Sequence, residues 1–575
     1  MIKRILAILL VLSVLFMVAC SSGGTSEPDG SSPSGSVADK PSTATPNYPH
    51  DNTPGDYVGG NEIPLPGNQS ESKSSSSASS KASDVYDYGE GYRRWYGYDY
   101  EDNYSEYNRE KYLPIDENNS VKTDFESMLT FSLKIDTAAY TNIERYILNG
   151  DEPPVDAVRT EELINYFNYE NVIVDKEGPF SMYTEIGPSP FNKDKLMAYM
   201  RIKTDEVSSR KRQPSHLTFL IDTSGSMDSY DKLPLLQDSM HMLVDNLTEN
   251  DYVSIVTYAG SSEVVLESRR VTSDNKKSII KAINNLTAGG STAGADGIKT
   301  AYEIASEYFL KNGNNRVILA TDGDFNVGIS NIGELEDFIS SYRDEGIYLS
   351  VLGFGTGNIR EDIMETLSKH GNGNYNYINT LRTANKVLVE ELSSNLYVVA
   401  KDVKAQVEFN PNNVKNYRLI GYENRMLDNR DFNDDTKDAG EIGLGSDVVV
   451  MFEIELQESY DYKYSSQPKT DRNDAYYNEL FELRIRYKEP NREDSKLIKR
   501  VATFGDVTSK NSNDFSFACS VAAFGDILRD SRFSNEMTVS DIIKLADKGK
   551  AYKKENKTYR EEFISMLKAY NRIVD

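Results

Sequence analysis

The sequence predicts an α/β protein built on a doubly wound, mainly parallel sheet, with β-rich regions on either side and a helical tail. Two observations carry this. From His216 to about residue 400, apolar runs such as "LTFLI", "YVSIVTY", "RVILATD" and "IYLSVLGFG" alternate with amphipathic stretches. Strands covered on both faces read as continuous apolar runs, and helices between them make the crossovers that parallel pairing needs. After residue 400 the rhythm becomes longer alternation, "VKAQVEFN", "DVVVMFEIEL" and "NELFELRIRYKE", the period of half-buried antiparallel strands.

The chain opens on a targeting element. Lys3 and Arg4 precede an apolar stretch from Ile5 to Ala19, broken only by Ser13, and then comes "MVAC". The stretch is shorter than the roughly 20 residues of a membrane-spanning helix, so residues 1–19 read as a secretory leader. Cys20 sits where bacterial lipoproteins carry their lipid-modified cysteine, although Met17 stands where leucine is usual. The competing reading is an uncleaved anchor. Both place the bulk of the chain outside the cytoplasm and hold it to a membrane. Removal of the leader takes the net charge from −26 to −28, which argues against nucleic acid and against a basic membrane-docking face. With Cys20 lipidated, Cys519 has no disulfide partner and reads as a small core residue.

Residues 20–112 form a tether. Between Ser21 and Ser83 the only Val, Ile or Leu residues are Val37, Val58, Ile63 and Leu65. Such a segment cannot build a core, and its coil dimensions reach on the order of 45 Å. Residues 86–112 hold nine tyrosines and Trp95 among acids, glycines and arginines, and read as a disordered spacer. An N-terminal flanking region over 113–207 follows. "FESMLTFSLKIDTAAYTNIERYILNG" predicts a strand and a helix ending at Gly150. "PPVDAVRTEELINYFNYE" predicts a second helix with Val158, Leu163, Ile164 and Phe167 inward. The α/β unit spans 214–400, with helices over 233–247, 275–286, 293–310, 333–345, 360–369 and 382–396. The C-terminal region, 401–575, ends in helices over 514–530 and 536–570.

Open α/β sheets bind ligands beyond the carboxyl ends of their strands. Three segments there carry chemistry: "DTSGSM" from Asp222, "AGGSTAGADGI" with Thr292 opening a helix, and "VILATDGDFN" with Asp322 ending a strand. Together they offer two carboxylates and three hydroxyls without histidine or thiolate, a set suited to Mg²⁺ or Mn²⁺ before zinc. Singly, each also reads as structure: Ser224, Ser226 or Thr292 as helix caps, Asp322-Gly323 as a turn.

Asp222-x-Ser224-x-Ser226, then Thr292, then Asp322 resembles the metal-ion-dependent adhesion site of von Willebrand factor A domains, with none of the five positions substituted. "FSLKIDTAAYTNIERYILNGDEPPVDAVRTEELINYF" and "RLIGYENRMLDNRDFNDDTKDAGEIG" resemble the flanks of a family of bacterial A-domain lipoproteins. The resemblance implies a cation held by hydroxyls, with the aspartates often acting through water. A partner protein's acidic residue then completes the octahedron that Mg²⁺ prefers. The expected function is cation-dependent protein binding or adhesion at the envelope, without catalysis and without nucleotide.

Other readings compete. A structural envelope scaffold would use the metal only to stiffen the fold. A haloacid-dehalogenase-like phosphatase also starts from an aspartate after an apolar strand, but needs a second acid where Ser224 stands. A phosphate-binding loop at Gly289–Gly294 has Ala295 where lysine belongs, and Ser229-x-x-Lys232 lacks the Lys-Thr-Gly companion of penicillin-binding enzymes. Asp431, Asn433 and Asp435 follow calcium-loop spacing, but Thr436 and Ile442 break it; that segment reads as a solvated acidic loop.

Overall fold

The computed structural model describes residues 110–574 except 135, 172, 174, 206–211, 292–293, 324–331, 458–474, 491 and 535–536. The expected leader, Cys20 and the expected tether up to residue 109 lie outside the described residues. The head begins before Leu113, because Glu110 to Tyr112 are bound into it. The Glu110 carboxylate takes a 2.8 Å ion pair from Arg145 and the Gly357 N–H at 2.9 Å, and the Lys111 backbone pairs with that of Arg360 as an isolated β-bridge.

The N-terminal flank contributes β1 (Val121–Lys122), β2 (Met128–Ser132), β3 (Asp175–Glu177), β4 (Phe180–Pro188) and β5 (Leu196–Thr204), with helices at Ala138–Asn149 and Thr160–Asn165. The α/β unit follows with β6 (Ser215–Asp222), β7 (Tyr252–Tyr258), β8 (Ser262–Arg270), β9 (Asn314–Thr321), β10 (Ile347–Phe354) and β11 (Tyr375–Ile378). Its sheet has the order β11-β10-β9-β6-β7-β8 and is parallel throughout except for the edge strand β8, antiparallel to β7. Side chains of β6 alternate between two helix-covered cores: Leu217, Phe219 and Ile221 face one, Leu220 the other. The doubly wound prediction therefore holds down to the residue.

The C-terminal region adds β12 (Val398–Phe409), β13 (Val414–Ile420), β14 (Met426–Leu427), β15 (Gly440–Gly443), β16 (Asp447–Leu456), β17 (Glu479–Lys488) and β18 (Ser495–Thr503). The two flanks are not separate bodies. Strand order β1-β13-β16-β5-β4-β3 makes one sheet, and β14-β2-β12-β17-β18 with β15 on β12 makes the other. Residues far apart in sequence share these ladders: Phe131 lies opposite Ala405 and Met200 opposite Val450. Leu129, Phe131, Met200, Ile202, Ala405, Val450, Phe452 and Ile485 meet between the sheets. The alternate residues Met197, Tyr199, Val449 and Met451 face the opposite way, onto the helices Ala138–Asn149, Asn513–Leu528 and Lys554–Val574. One helix-backed β-sandwich thus holds the α/β unit as an insertion between β5 and β12. Cys519 is a fully buried core residue. Among the described residues no helix is long and apolar enough to cross a membrane.

Candidate metal centre

β6 is paired on both sides, to β7 and β9, and every residue of it is buried. Its carboxyl end delivers Asp222, which is fully buried. One Asp222 oxygen accepts the Ser224 N–H at 2.9 Å; the other accepts the hydroxyls of Tyr258 at 3.1 Å and Thr321 at 3.2 Å. A short 3₁₀ turn, Gly225–Met227, follows and plants Met227 in the core. The turn leaves the Ser224 and Ser226 hydroxyl oxygens 2.9 Å apart.

The glycine loop is stitched onto this turn. The Gly289 N–H donates to the Thr223 carbonyl at 2.8 Å, and the Gly225 N–H donates to the Gly290 carbonyl at 3.1 Å. The first of these contacts takes a backbone N–H that a phosphate cradle in this loop would offer. Thr292 lies outside the described residues; the helix Gly294–Glu307 begins two positions further on. β9 brings Thr321 and Asp322 to the same rim, and Asp322 accepts the Lys232 ammonium at 2.8 Å. The structure therefore brings Asp222, Ser224 and Ser226 together and places Asp322 at the end of the neighbouring strand.

Burial pushes the Asp222 carboxyl above its usual range; the Asp322 charge adds to this, against the hydrogen bonds from Ser224 and Tyr258. Burial, with the Asp222 charge, also drives the Tyr258 phenol far up, so it stays a neutral donor. Excess negative charge held in a dry rim is what a cation relieves. The donors are all hard oxygens, which fits Mg²⁺ or Mn²⁺. Among the described residues no cluster of three carboxylate, imidazole or thiol groups with metal-holding geometry occurs; the set here depends on hydroxyls.

Several residues matter that motif spacing did not single out for this site. Tyr258 and Thr321 orient Asp222, and Lys232 pairs with Asp322; each depends on strand order rather than on local spacing. Lys232 points to Asp322, while Ser229 donates to Asp231, so no serine–lysine dyad forms. In the acidic loop, the Lys404 ammonium donates to the carbonyls of Asp431, at 3.1 Å, and Asp434. Asp435 pairs with Arg486. A lysine charge thus fills the centre that calcium-loop spacing suggested.

The family model described as "von Willebrand factor type A domain" matches residues 216–391, the α/β unit just described. A model named "von Willebrand factor" matches 106–224, and "Uncharacterized protein YfbK, C-terminal" matches 394–573. The protein YfbK of Escherichia coli (strain K12) is 40% identical over 476 residues, which is 81% of this chain and 82% of its own. The chain belongs to the YfbK family, with a von Willebrand factor A domain at its centre. The two outer matches, over 106–224 and 394–573, fall on the halves of the sandwich whose strands share both sheets. Protein sll0103 of Synechocystis is 28% identical over 33% of this chain and 43% of its own. A solved structure, "von Willebrand factor type A from Catenulispora acidiphila", is 15% identical over 69% of this chain and 92% of its own, with a TM-score of 0.39.

Proposed function

We propose that this protein is a lipid-anchored envelope protein whose A domain binds a partner protein through one Mg²⁺ or Mn²⁺ ion, without catalysing a reaction. The observation that carries the reading is the convergence of the Ser224 and Ser226 hydroxyls with two buried strand-end aspartates, Asp222 and Asp322. Ser224, Ser226 and Thr292 would hold the cation, with Asp222 and Asp322 behind them. The bound ion supplies a Lewis-acidic centre that accepts an anionic oxygen from outside. Both aspartates are already engaged by protein donors, and Ser224 stands where the phosphatase reading needs an acid. Membrane attachment rests on the leader and Cys20.

The test is calorimetric titration of Mn²⁺ into the full chain beside a Ser224→Ala, Ser226→Ala double variant. The expected outcome is binding in the wild type that the variant loses by at least about tenfold, with unchanged far-UV circular dichroism. Ser226→Ala alone should weaken it less. Equal heats from both proteins would overturn the cation site and leave the scaffold reading in front. Capture of a partner that a chelator releases, with folding retained, separates binding from a purely structural metal.

A further inference from the structure

The two strand-end carboxylates are treated differently by the fold. Among the described residues Asp222 receives only neutral donors, from Ser224, Tyr258 and Thr321. Asp322 receives a full positive charge from Lys232, 2.8 Å away, and both partners are nearly buried, at 1% and 8% exposure. The lysine is built in. It precedes the helix Leu233–Asn246, and its stem passes under Gly355 at the end of β10. A Cβ on Gly355 would lie 2.3–2.8 Å from Lys232 Cε, Cγ and Cδ, and Gly355 has φ +74°. Three elements therefore hold one ammonium against the rim: the loop after β6, the end of β9 and the end of β10.

Resting on the cation reading above, we propose that Lys232 is a fixed counter-charge that sets what the metal site accepts. Lys232 cancels one of the two buried carboxylates. A divalent cation held by neutral hydroxyls then meets one uncompensated negative charge rather than two, and the loaded site keeps a net positive charge. Such a site favours an anionic oxygen from a partner and holds the cation itself less tightly than a site with two free carboxylates would. Asp228 and Asp231, on the same loop, reach solvent, where water and salt screen them. Lys232 is buried and is screened least, so its charge weighs most.

The experiment compares wild type, Lys232→Gln and Lys232→Met in the full chain, with Mn²⁺ alone as the first probe and acetate on the Mn²⁺-loaded protein as the second. The glutamine amide can still donate to Asp322, so that variant changes charge more than contact. Removing a buried unit charge that is paired with a carboxylate of the site should tighten Mn²⁺ binding by at least about tenfold. It should weaken acetate binding to the loaded site by at least about threefold. Thermal unfolding reads the same charge a second way: the variants should melt lower than wild type without metal and gain more from Mn²⁺. A variant that folds only with Mn²⁺ present supports the proposal. Unchanged or weaker Mn²⁺ affinity in Lys232→Gln overturns it, as does a protein that folds in neither condition, since Lys232 would then be structural alone. Absence of Mn²⁺ binding in the wild type itself overturns the underlying cation reading, a separate result.

Discussion

His216, on β6, shows how a single residue reports its surroundings. Its Nε2 lies 2.9 Å from the Ser254 hydroxyl, its ring meets Tyr308 edge-on at 6.1 Å, and Nδ1 finds no hydrogen-bond partner among the described residues. Burial depresses the imidazole to about 4. The folded state thus holds the neutral ring, while the unfolded state takes up a proton below the ordinary value near 6.5. Its contribution is complete above pH 6.5 and is lost as pH falls from there through about 4, amounting to about 3 kcal/mol. Urea unfolding at pH 7.5 and pH 4.5 should show this loss, and His216→Gln should show a smaller pH slope than wild type. An identical slope in both proteins would count against a buried neutral histidine.

Between elements, close approach is the controlling quantity. Gly297, in the helix Gly294–Glu307, lies where a Cβ would come within 2.7 Å of Tyr258 Cβ and 3.0 Å of its ring. Gly297→Ala should cost about 1–3 kcal/mol through overpacking, and it should displace the tyrosine that donates to Asp222. A lower urea midpoint together with weaker Mn²⁺ binding is the expected result; full stability would mean the helix can shift freely. The helix expected over 382–396 illustrates a similar tertiary effect. It is interrupted by a π-helical turn, Lys386–Glu390. There the Lys386 ammonium sits 4.8 Å from the ring centres of both Tyr166 and Tyr559, and 2.7 Å from Glu391. The tail expected as one helix over 536–570 is two, Val539–Lys548 and Lys554–Val574. Glu170, from the other flank, accepts the N–H groups of Tyr552 and Lys553 at 2.7 and 2.8 Å and caps the second one.

Across the whole molecule, ion pairs buried at the seam tie the A domain to the sandwich. Arg425 donates to Asp136 at 2.7 Å and to Glu365, Arg159 lies 2.8 Å from Glu361, and Lys134 lies 2.9 Å from Asp136. Asp136 and Arg159 belong to the N-terminal flank, Glu361 and Glu365 to the A domain, and Arg425 to the C-terminal flank. Taking away one partner leaves buried charge uncompensated, so Arg425→Met should destabilise the head by about 3–5 kcal/mol. Equilibrium unfolding in urea checks this, and a cost below about 1 kcal/mol would mean that water reaches the seam.

What the sequence alone determined is what local pattern encodes. Continuous apolar runs specified the parallel strands, the 3.6-residue period specified most helices of the A domain, and the Asp-x-Ser-x-Ser segment with Asp322 marked the rim. Those signals survive because strand burial and helix faces repeat within a few residues. Tertiary structure alone decided that residues 113–207 and 401–575 weave one sandwich. The pairing of Phe131 with Ala405 depends on a partner strand more than 250 residues away, and alternation within a strand cannot name that partner. It alone also joined Lys232 to Asp322 and Tyr258 to Asp222, since strands distant in sequence become neighbours only when the sheet closes.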